Sequence, residues 1–387
     1  MEAQPEAKPK PKPFIFKPKH DSQQVLKILQ ALKQASHDLH KNPDFNNITF
    51  SSSPAIKALL ELQHESETIL SDDPHLLTLS NHLTALKTVI NNSFDARQHY
   101  NGLKSFLIRR VNSHEISQLA GSIESEIEAW IDREFVELVT KTLGTETKEE
   151  VLIDLMEQFE ERIAKGFDRD LQNSILRSKV FNELETILCD CKSTKFSNKV
   201  REASAFVITE LIKFNKDVFV GQVLIGETVR ALISLSSVRS IRALSMLIKS
   251  IKSPIIDEIE SNGEIPKIVD LLTSNDLSKQ TMAMECVLTI GYFGRKEAIE
   301  AMLKADLVKK LVELQRMSVK SESNTTRMHP FSSCVARFAV QVEVGEGLRR
   351  REKRALKQEV LTRVREAHVC EAEAATIIAE VLWGASP

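Results

Sequence analysis

The chain has 387 residues and is 42% hydrophobic, which is enough for two or three compact units or one extended array with an ample core. Twelve glycines, twelve prolines and 5% aromatic residues are few turn and strand formers, and this favours an all-α protein over a β-sandwich or barrel. The formal net charge of -2 excludes a global field that would attract nucleic acid or an anionic membrane, so any such contact would be local.

The cysteines and the apolar runs bear on the compartment. The five cysteines are an odd number and fall mostly in apolar helical patterns, which predicts a reducing environment. No run of about eighteen apolar residues occurs, and the N-terminal stretch lacks the apolar segment of a secretory signal. We therefore expect a soluble, unsecreted protein in the cytoplasm, or in both cytoplasm and nucleus.

Residues 1–20 are a Lys/Pro-rich leader with five prolines and five lysines and few residues able to bury surface. This composition predicts a disordered or polyproline-like tail. A docking peptide, a weak nuclear-import signal and a solubilising leader are all compatible with it.

Residues 21–145 show helical periodicity and predict an antiparallel helical bundle. Ser53-Pro54 and Asp73-Pro74 each place a capping side chain before a proline at the first helical position. The longest stripe lies between Ser113 and Leu143 and consists of Ile116, Leu119, Ile123, Ile127, Trp130, Ile131 and Leu138.

Residues 146–387 predict a helical repeat array that starts after the break at Gly144. In the segment from Gly263 to Arg316, a short amphipathic helix, a polar break, a longer apolar helix and a third short helix follow one another. The apolar pattern then recurs 43 residues later, within the period of about 40–47 residues typical of stacked helical repeats. A degraded copy lies 36 residues earlier. Residues 317–329 lack periodicity and predict a mobile loop, whereas Leu382 and Trp383 are expected to cap the last hydrophobic layer.

Motifs that carry chemistry offer little support for an enzyme. The sequence contains no Gly-x-x-x-x-Gly-Lys phosphate loop, no Gly-x-Ser-x-Gly elbow and no His-Glu-x-x-His motif. His37 and His40 are three residues apart on one helix, but no neighbouring pair of carboxylates or thiols completes a metal site. We predict no catalytic residue, no metal and no cofactor.

From Gly263 to Leu314, and less clearly over residues 180–262 and 330–387, the chain resembles the armadillo-repeat family. The stretch from Pro330 to Ala367 looks like plant armadillo-repeat proteins. The resemblance implies a right-handed α-solenoid whose third helices line a groove. Plant members that are ubiquitin ligases carry a U-box between a helical N-terminal domain and the repeats, and this sequence shows no U-box.

The resemblance also identifies candidate groove residues. Members that read nuclear-import signals carry a Trp and an Asn on each third helix, and these bind lysine stems and the ligand backbone. The Trp positions are held here by Phe206, Ser245, Glu285 and Thr376, and the Asn positions by Glu210, Lys249, Thr289 and Glu380. The chain should therefore not bind nuclear-import signals through Trp and Asn side chains, but a groove of mixed charge can accept another helix or an extended peptide.

A basic patch is formed by Arg349, Arg350, Arg351, Lys353 and Arg354. Such a cluster is typical of a solvated helix face, of a nuclear-localisation signal or of a contact for an acidic partner. Aromatic residues for base stacking are absent around it, so single-stranded nucleic acid is not expected as a partner.

Together these features predict a non-catalytic scaffold or adaptor that binds a protein partner through the repeat surface. Two alternatives stay open. One is a substrate adaptor or regulatory subunit in ubiquitin signalling, and the other is a peripheral membrane tether that acts through the basic leader.

Overall fold

The computed structural model describes residues 20–41, 76–99, 103–145, 148–190, 195–321, 330–367 and 370–383. In these ranges there are eighteen α-helices, one short 3-10 turn and no strand, which confirms the predicted all-α class. The helices, in chain order, are α1 (His20–Lys41), α2 (Leu77–His99), α3 (Leu103–Leu143), α4 (Glu149–Ala164), α5 (Arg169–Ser178), α6 (Val180–Cys189), α7 (Asn198–Phe214), α8 (Lys216–Ile225), α9 (Thr228–Leu235), α10 (Val238–Ile251), α11 (Ser253–Ser261), α12 (Ile265–Asp270), α13 (Leu277–Phe293), α14 (Lys296–Lys304), α15 (Leu307–Ser321), α16 (Cys334–Val344), α17 (Arg350–Ala367) and α18 (Glu371–Trp383).

The chain divides into two compact units. Unit 1 lies within Met1–Lys141 and Asp168–Ser178, and unit 2 lies within Thr142–Phe167 and Lys179–Pro387. Helix α5 thus belongs to unit 1, although both of its neighbours in sequence belong to unit 2. A single boundary near residue 145 does not describe this arrangement.

The core of unit 1 is built from the apolar stripes of α1, α2 and α3. Ile116, Ile123, Ile127 and Trp130 of α3 are buried in it, while Leu119 and Ile131 pack against it from its edge. This confirms most of the predicted stripe. The predicted helix after Ser53-Pro54 lies outside the described residues.

Polar contacts join α1 to α3 beside that core. His37 Nδ1 lies 3.0 Å from the Glu124 carboxylate, and His40 Nδ1 lies 3.0 Å from the backbone oxygen of Ser117. Lys33 pairs with Glu128. Both histidines therefore have partners within unit 1.

Unit 2 is a solenoid in which equivalent helices stack in rows. One row runs α4, α7, α10, α13, α16 and α18, each helix packing against the next. A second row runs α8, α11, α14 and α17. The remaining helix of each repeat is α6, α9, α12 with its 3-10 turn Leu271–Thr273, or α15, and the first row, from α4 to α18, is the row of third helices. The stacking of successive helices confirms the predicted helical solenoid.

The best repeat follows the sequence pattern closely. Gly263, with a φ of 68°, ends the segment after α11 in the left-handed conformation that glycine adopts at little cost. The break at residues 273–276 ends in Asp276, whose side chain caps α13 by accepting from the backbone N–H groups of Ser278 and Lys279. The second copy of the apolar pattern is buried at Val308, Leu311, Val312 and Leu314.

Two predictions about the C-terminal part were wrong. Helix α15 continues through Ser321, so Met317 to Ser321 is helical, and residues 322–329 lie outside the described ranges. Leu382 and Trp383 do not cap a hydrophobic layer, because their side chains are 44% and 83% exposed. The buried face of α18 instead consists of Ala374, Ile377 and Val381.

No single helix in the described part of the chain has both the length and the apolar character needed to cross a bilayer. The adjacent helices α8 and α9 pass that test only as a pair, with a bend of 68° between them.

Candidate protein-binding surface

The row of third helices leaves one face of α7, α10 and α13 accessible. Side chains four residues apart lie on the same side of a helix, so Glu202, Phe206 and Glu210 form a stripe along α7. Here the name ladder surface denotes the partly or fully exposed residues Glu160, Glu202, Phe206, Glu210, Arg239, Lys249 and Glu285.

Arg239 joins α10 to α7 through two contacts. Its guanidinium carbon lies 4.9 Å from the centre of the Phe206 ring, and its Nε lies 3.6 Å from a carboxylate oxygen of Glu202. A guanidinium over an aromatic face is attracted by the ring quadrupole, and the carboxylate holds it there. An aromatic ring and an arginine are thus held together at the surface, with 56% of the Arg239 side chain exposed.

A group of carboxylates lies between α4 and α7. The Glu210 carboxylate accepts a hydrogen bond from Lys213 at 2.5 Å. Burial of Glu160 raises the pKa of its carboxyl, and the negative charge of Glu210 adds to this, while Lys213 and Arg239 oppose it. This end of the ladder surface therefore has an excess of negative charge.

Lys249 links α10 to α13 by an ion pair with Glu285 at 2.5 Å. Two neighbouring candidates are not on the accessible surface. Ser245 is 2% exposed, and its hydroxyl is buried with no hydrogen-bond partner. Thr289 is 7% exposed, and its hydroxyl donates to the backbone oxygen of Glu285 at 2.7 Å. Both positions contribute to helix packing.

The last two groove candidates lie on α18. The exposed Thr376 donates its hydroxyl to the backbone oxygen of Ala372 at 2.9 Å. Glu380 accepts from the side-chain amide of Gln315 on α15 at 2.9 Å. The hydrogen-bond partners of these two residues, Ala372 and Gln315, are not residues of the ladder surface.

Arg239, Glu202 and Glu160 were missed by sequence reasoning. The spacing of four between Glu202, Phe206 and Glu210 is a signal that was available, because it predicts a shared face. Arg239 had no comparable signal, since its contacts depend on how α10 stacks on α7.

The basic patch lies at the start of α17. Arg349, Arg350, Arg351 and Arg354 are exposed, whereas the Lys353 ammonium donates to the backbone oxygen of Gly345 at 2.7 Å. Its five residues are therefore close together, as their sequence positions require.

The described residues contain no group of three or more His, Cys, Asp and Glu side chains placed to hold a metal ion. A cavity of about 360 Å³ lies in unit 2 at the N-terminus of α7, lined in part by Glu149, Lys195, Phe196 and Ser197. Its polar lining is partly satisfied internally, since Ser197 donates to Glu149 at 2.6 Å.

Comparisons with known proteins find structural neighbours only, and no protein-family model or curated protein matches the sequence. One neighbour is an engineered protein with 19% identity and a TM-score of 0.44, covering 64% of this chain and 95% of its own. Another is a designed armadillo repeat protein in complex with the peptide (KR)4, with 16% identity and a TM-score of 0.44, covering 64% of this chain and 98% of its own. A third is a computationally designed armadillo repeat protein for modular peptide recognition, with 15% identity, a TM-score of 0.44, and 64% and 99% coverage. These superpositions are partial, and the helix stacking described above is what identifies the solenoid.

Proposed function

We propose that the protein is a non-catalytic scaffold that binds a protein partner through the ladder surface. The observation that carries the proposal is the arrangement of Arg239 over Phe206 beside Glu202. Arginine and aromatic residues are enriched among the side chains that dominate the energy of protein interfaces. Here they are already ordered by contacts between α7 and α10, so less conformational entropy is lost on binding.

The solenoid supports this role because its core does not need these side chains. Each third helix packs on its neighbours through other residues, such as Val207 on α7, Leu244 on α10 and Val287 on α13, all of which are buried. The exposed residues can therefore be suited to a protein partner without a loss of core packing.

The charges on the ladder surface favour a partner segment of mixed charge. Carboxylates dominate between α4 and α7, where Glu160 and Glu210 lie near each other. Cations become more frequent toward α10, which carries Arg239, Arg242 and Lys249 on its exposed side. A helix or extended peptide with basic residues at one end and acidic residues at the other would complement this gradient.

Neither alternative from the sequence gains a specific contact in the structure. The leader on which a membrane tether would depend lies outside the described residues, and a role as a ubiquitin adaptor would use the same ladder surface. Both remain hypotheses about the partner.

A peptide-display selection against the purified chain tests the proposal. Peptides selected from a random library should bind the Arg239→Ala and Phe206→Ala variants at least about tenfold more weakly than the unmodified chain, because each variant removes part of the ordered cluster. The matched control is Ile225→Ala with Lys304→Ala, which truncates an aliphatic side chain and a cation that are both exposed and outside the ladder surface. Equal loss in both sets, or selected peptides that none of these substitutions affects, would refute the ladder surface as the binding site.

A further inference from the structure

The start of helix α17 combines dense positive charge with a firmly packed helix. Leu356, Val360, Leu361 and Val364 form its buried face, and they pack it against the neighbouring helices of unit 2. In the first turn and a half, Arg350, Arg351 and Arg354 are exposed, whereas Lys353 donates to the backbone oxygen of Gly345 at 2.7 Å.

Two cations further along α17 have carboxylate partners, whereas three arginines at its start do not. Lys357 pairs with Glu343 at 2.7 Å, and Arg363 pairs with Glu359 at 2.9 Å. In contrast, the guanidinium groups of Arg350, Arg351 and Arg354 form no hydrogen bond or ion pair with any described residue. The Glu352 carboxylate, which could have neutralised one of them, accepts from the backbone N–H of Arg349 at 2.8 Å.

This placement is unfavourable in the isolated protein. Arg350 and Arg354 are four residues apart, as neighbours on one helix face, where like charges repel. The positive end of the helix dipole lies at the same place, so cations there are destabilised and an anion would be stabilised. Only the arrival of negative charge relieves both effects.

The surroundings supply little of that negative charge. The turn between α16 and α17 packs closely on the C-terminal end of α13, where a Cβ added to Gly347 would lie 2.0 Å from the backbone oxygen of Gly294. Glu346 in that turn is already paired with Lys252 at 2.9 Å, and Glu343 on α16 is paired with Lys357 at 2.7 Å.

We propose that the exposed arginines of the basic patch, Arg350, Arg351 and Arg354, bind an acidic segment of a partner protein. Guanidinium groups pair with carboxylates through two parallel hydrogen bonds, and this geometry favours arginine over lysine at such sites. Arginines one helical turn apart match carboxylates one turn apart on a partner helix, at about 6 Å.

The structure disfavours the two other ligands of a basic patch. A receptor that bonds the backbone of an import signal needs an extended segment, but the backbone of α17 is hydrogen-bonded within a packed helix. Stacking of single-stranded nucleic acid needs aromatic rings, and α17 from Arg350 to Ala367 carries none. This surface does not include any residue of the ladder surface, so the inference does not rest on the proposed function.

Fluorescence anisotropy with a defined probe tests the inference. The probe is a labelled alanine-based helical peptide with a glutamate at every fourth position, compared with a peptide of the same composition in permuted order. The variant Arg350→Gln/Arg351→Gln/Arg354→Gln should bind the probe at least about tenfold more weakly at low ionic strength, because charge-assisted hydrogen bonds are lost. The control Lys304→Gln/Lys309→Gln/Arg365→Gln removes three other exposed cations and the same net charge, and should change binding less than about twofold.

Three results would overturn the inference. The first is the absence of probe binding at low ionic strength, and the second is equal weakening in both triple variants, which would indicate attraction by overall charge. The third is tighter binding, through the same three arginines, of duplex DNA or of phosphatidylserine vesicles than of the peptide. Circular dichroism and thermal unfolding of both variants should match the unmodified chain, because the substituted side chains are exposed and form no ion pair with any residue that the structure describes.

Discussion

Two cysteines of unit 2, Cys286 and Cys334, are buried, and burial disfavours the ionisation of their thiols. Burial raises the pKa of Cys286 to about 12 and that of Cys334 to about 12. The Cys334 thiol also donates to the backbone oxygen of Leu311 at 3.1 Å. Cys370, in contrast, is exposed.

Since the thiolate is the reactive form, these surroundings predict selective alkylation. Iodoacetamide at mildly alkaline pH should modify Cys370 in the folded protein and leave Cys286 and Cys334 unmodified until denaturant is added. Peptide mass spectrometry checks the result. Rapid modification of Cys286 under native conditions would show that the α10–α13 interface opens readily.

Glu160 on the ladder surface gives the stability of unit 2 a pH dependence. Its pKa is raised above the ordinary value of 4.5, first by burial and then by Glu210. A carboxyl whose folded-state pKa is raised contributes most below the unfolded-state pKa, and that contribution is lost as pH rises through the folded-state pKa.

Glu160→Gln should therefore raise the melting temperature at neutral pH, and the difference should disappear below pH 4.5, the ordinary pKa of a glutamate. The control is Glu161→Gln, which neutralises the adjacent, exposed carboxylate. Thermal melts across this pH range measure both variants. The same gain for Glu161→Gln would mean that net charge, not burial, sets the effect.

In helix α18, the burial of a side chain, and not its size, determines how much it contributes to the free energy of unfolding. Ile377 lies on its buried face and is 3% exposed, whereas the larger Trp383 is 83% exposed. At its first turn, Glu373 holds the helix to α15 by accepting from both Nε and an Nη of Arg316 at 2.8 and 2.9 Å. This hydrogen bonding is the main reason that the pKa of Arg316 is raised.

A pair of substitutions tests this view of α18. Ile377→Ala should lower the free energy of unfolding by about 2–5 kcal/mol because it leaves a cavity. Trp383→Ala should change it by less than about 0.5 kcal/mol because the ring is in solvent. Urea unfolding, with hydrogen exchange of the α18 amides, measures both. A large loss for Trp383→Ala would place the ring against a surface that the present contacts do not include.

The features that could be predicted from the sequence are those that depend on the spacing of apolar residues within one helix. The repeat at residues 265–314 could be found because each copy buries the same apolar positions, from Ile268 in one to Leu311 in the next. The fold class followed from this periodicity and from the scarcity of turn residues.

Features that depend on how helices meet could not be predicted in the same way. Ser245 and Thr289 align with groove positions by spacing, yet both are buried where α10 and α13 pack against neighbouring helices. The contact of Arg239 with Phe206 joins α10 to α7, so it depends on how these two helices pack together. Likewise, α5 has an amphipathic pattern that fits either unit, and its assignment to unit 1 depends on tertiary contacts.

A core substitution is expected to affect the stability of a solenoid more locally than that of a globular domain. Each third helix in unit 2 packs on its immediate neighbours in the row, so stability is approximately a sum of repeat terms and neighbour interfaces. Leu247, fully buried on α10, contributes to this row at its centre.

Leu247→Ala should cost about 2–5 kcal/mol, and the loss should be local. We expect hydrogen exchange to accelerate most in α10, less in the adjoining α7 and α13, and least in α18, since local opening follows the contacts between repeats. Arg242→Ala, an exposed position on the same helix, serves as the control and should leave the exchange pattern unchanged. A uniform loss of protection from α4 to α18 would show that unit 2 unfolds as a single cooperative body, and the additive description of its repeats would then fail.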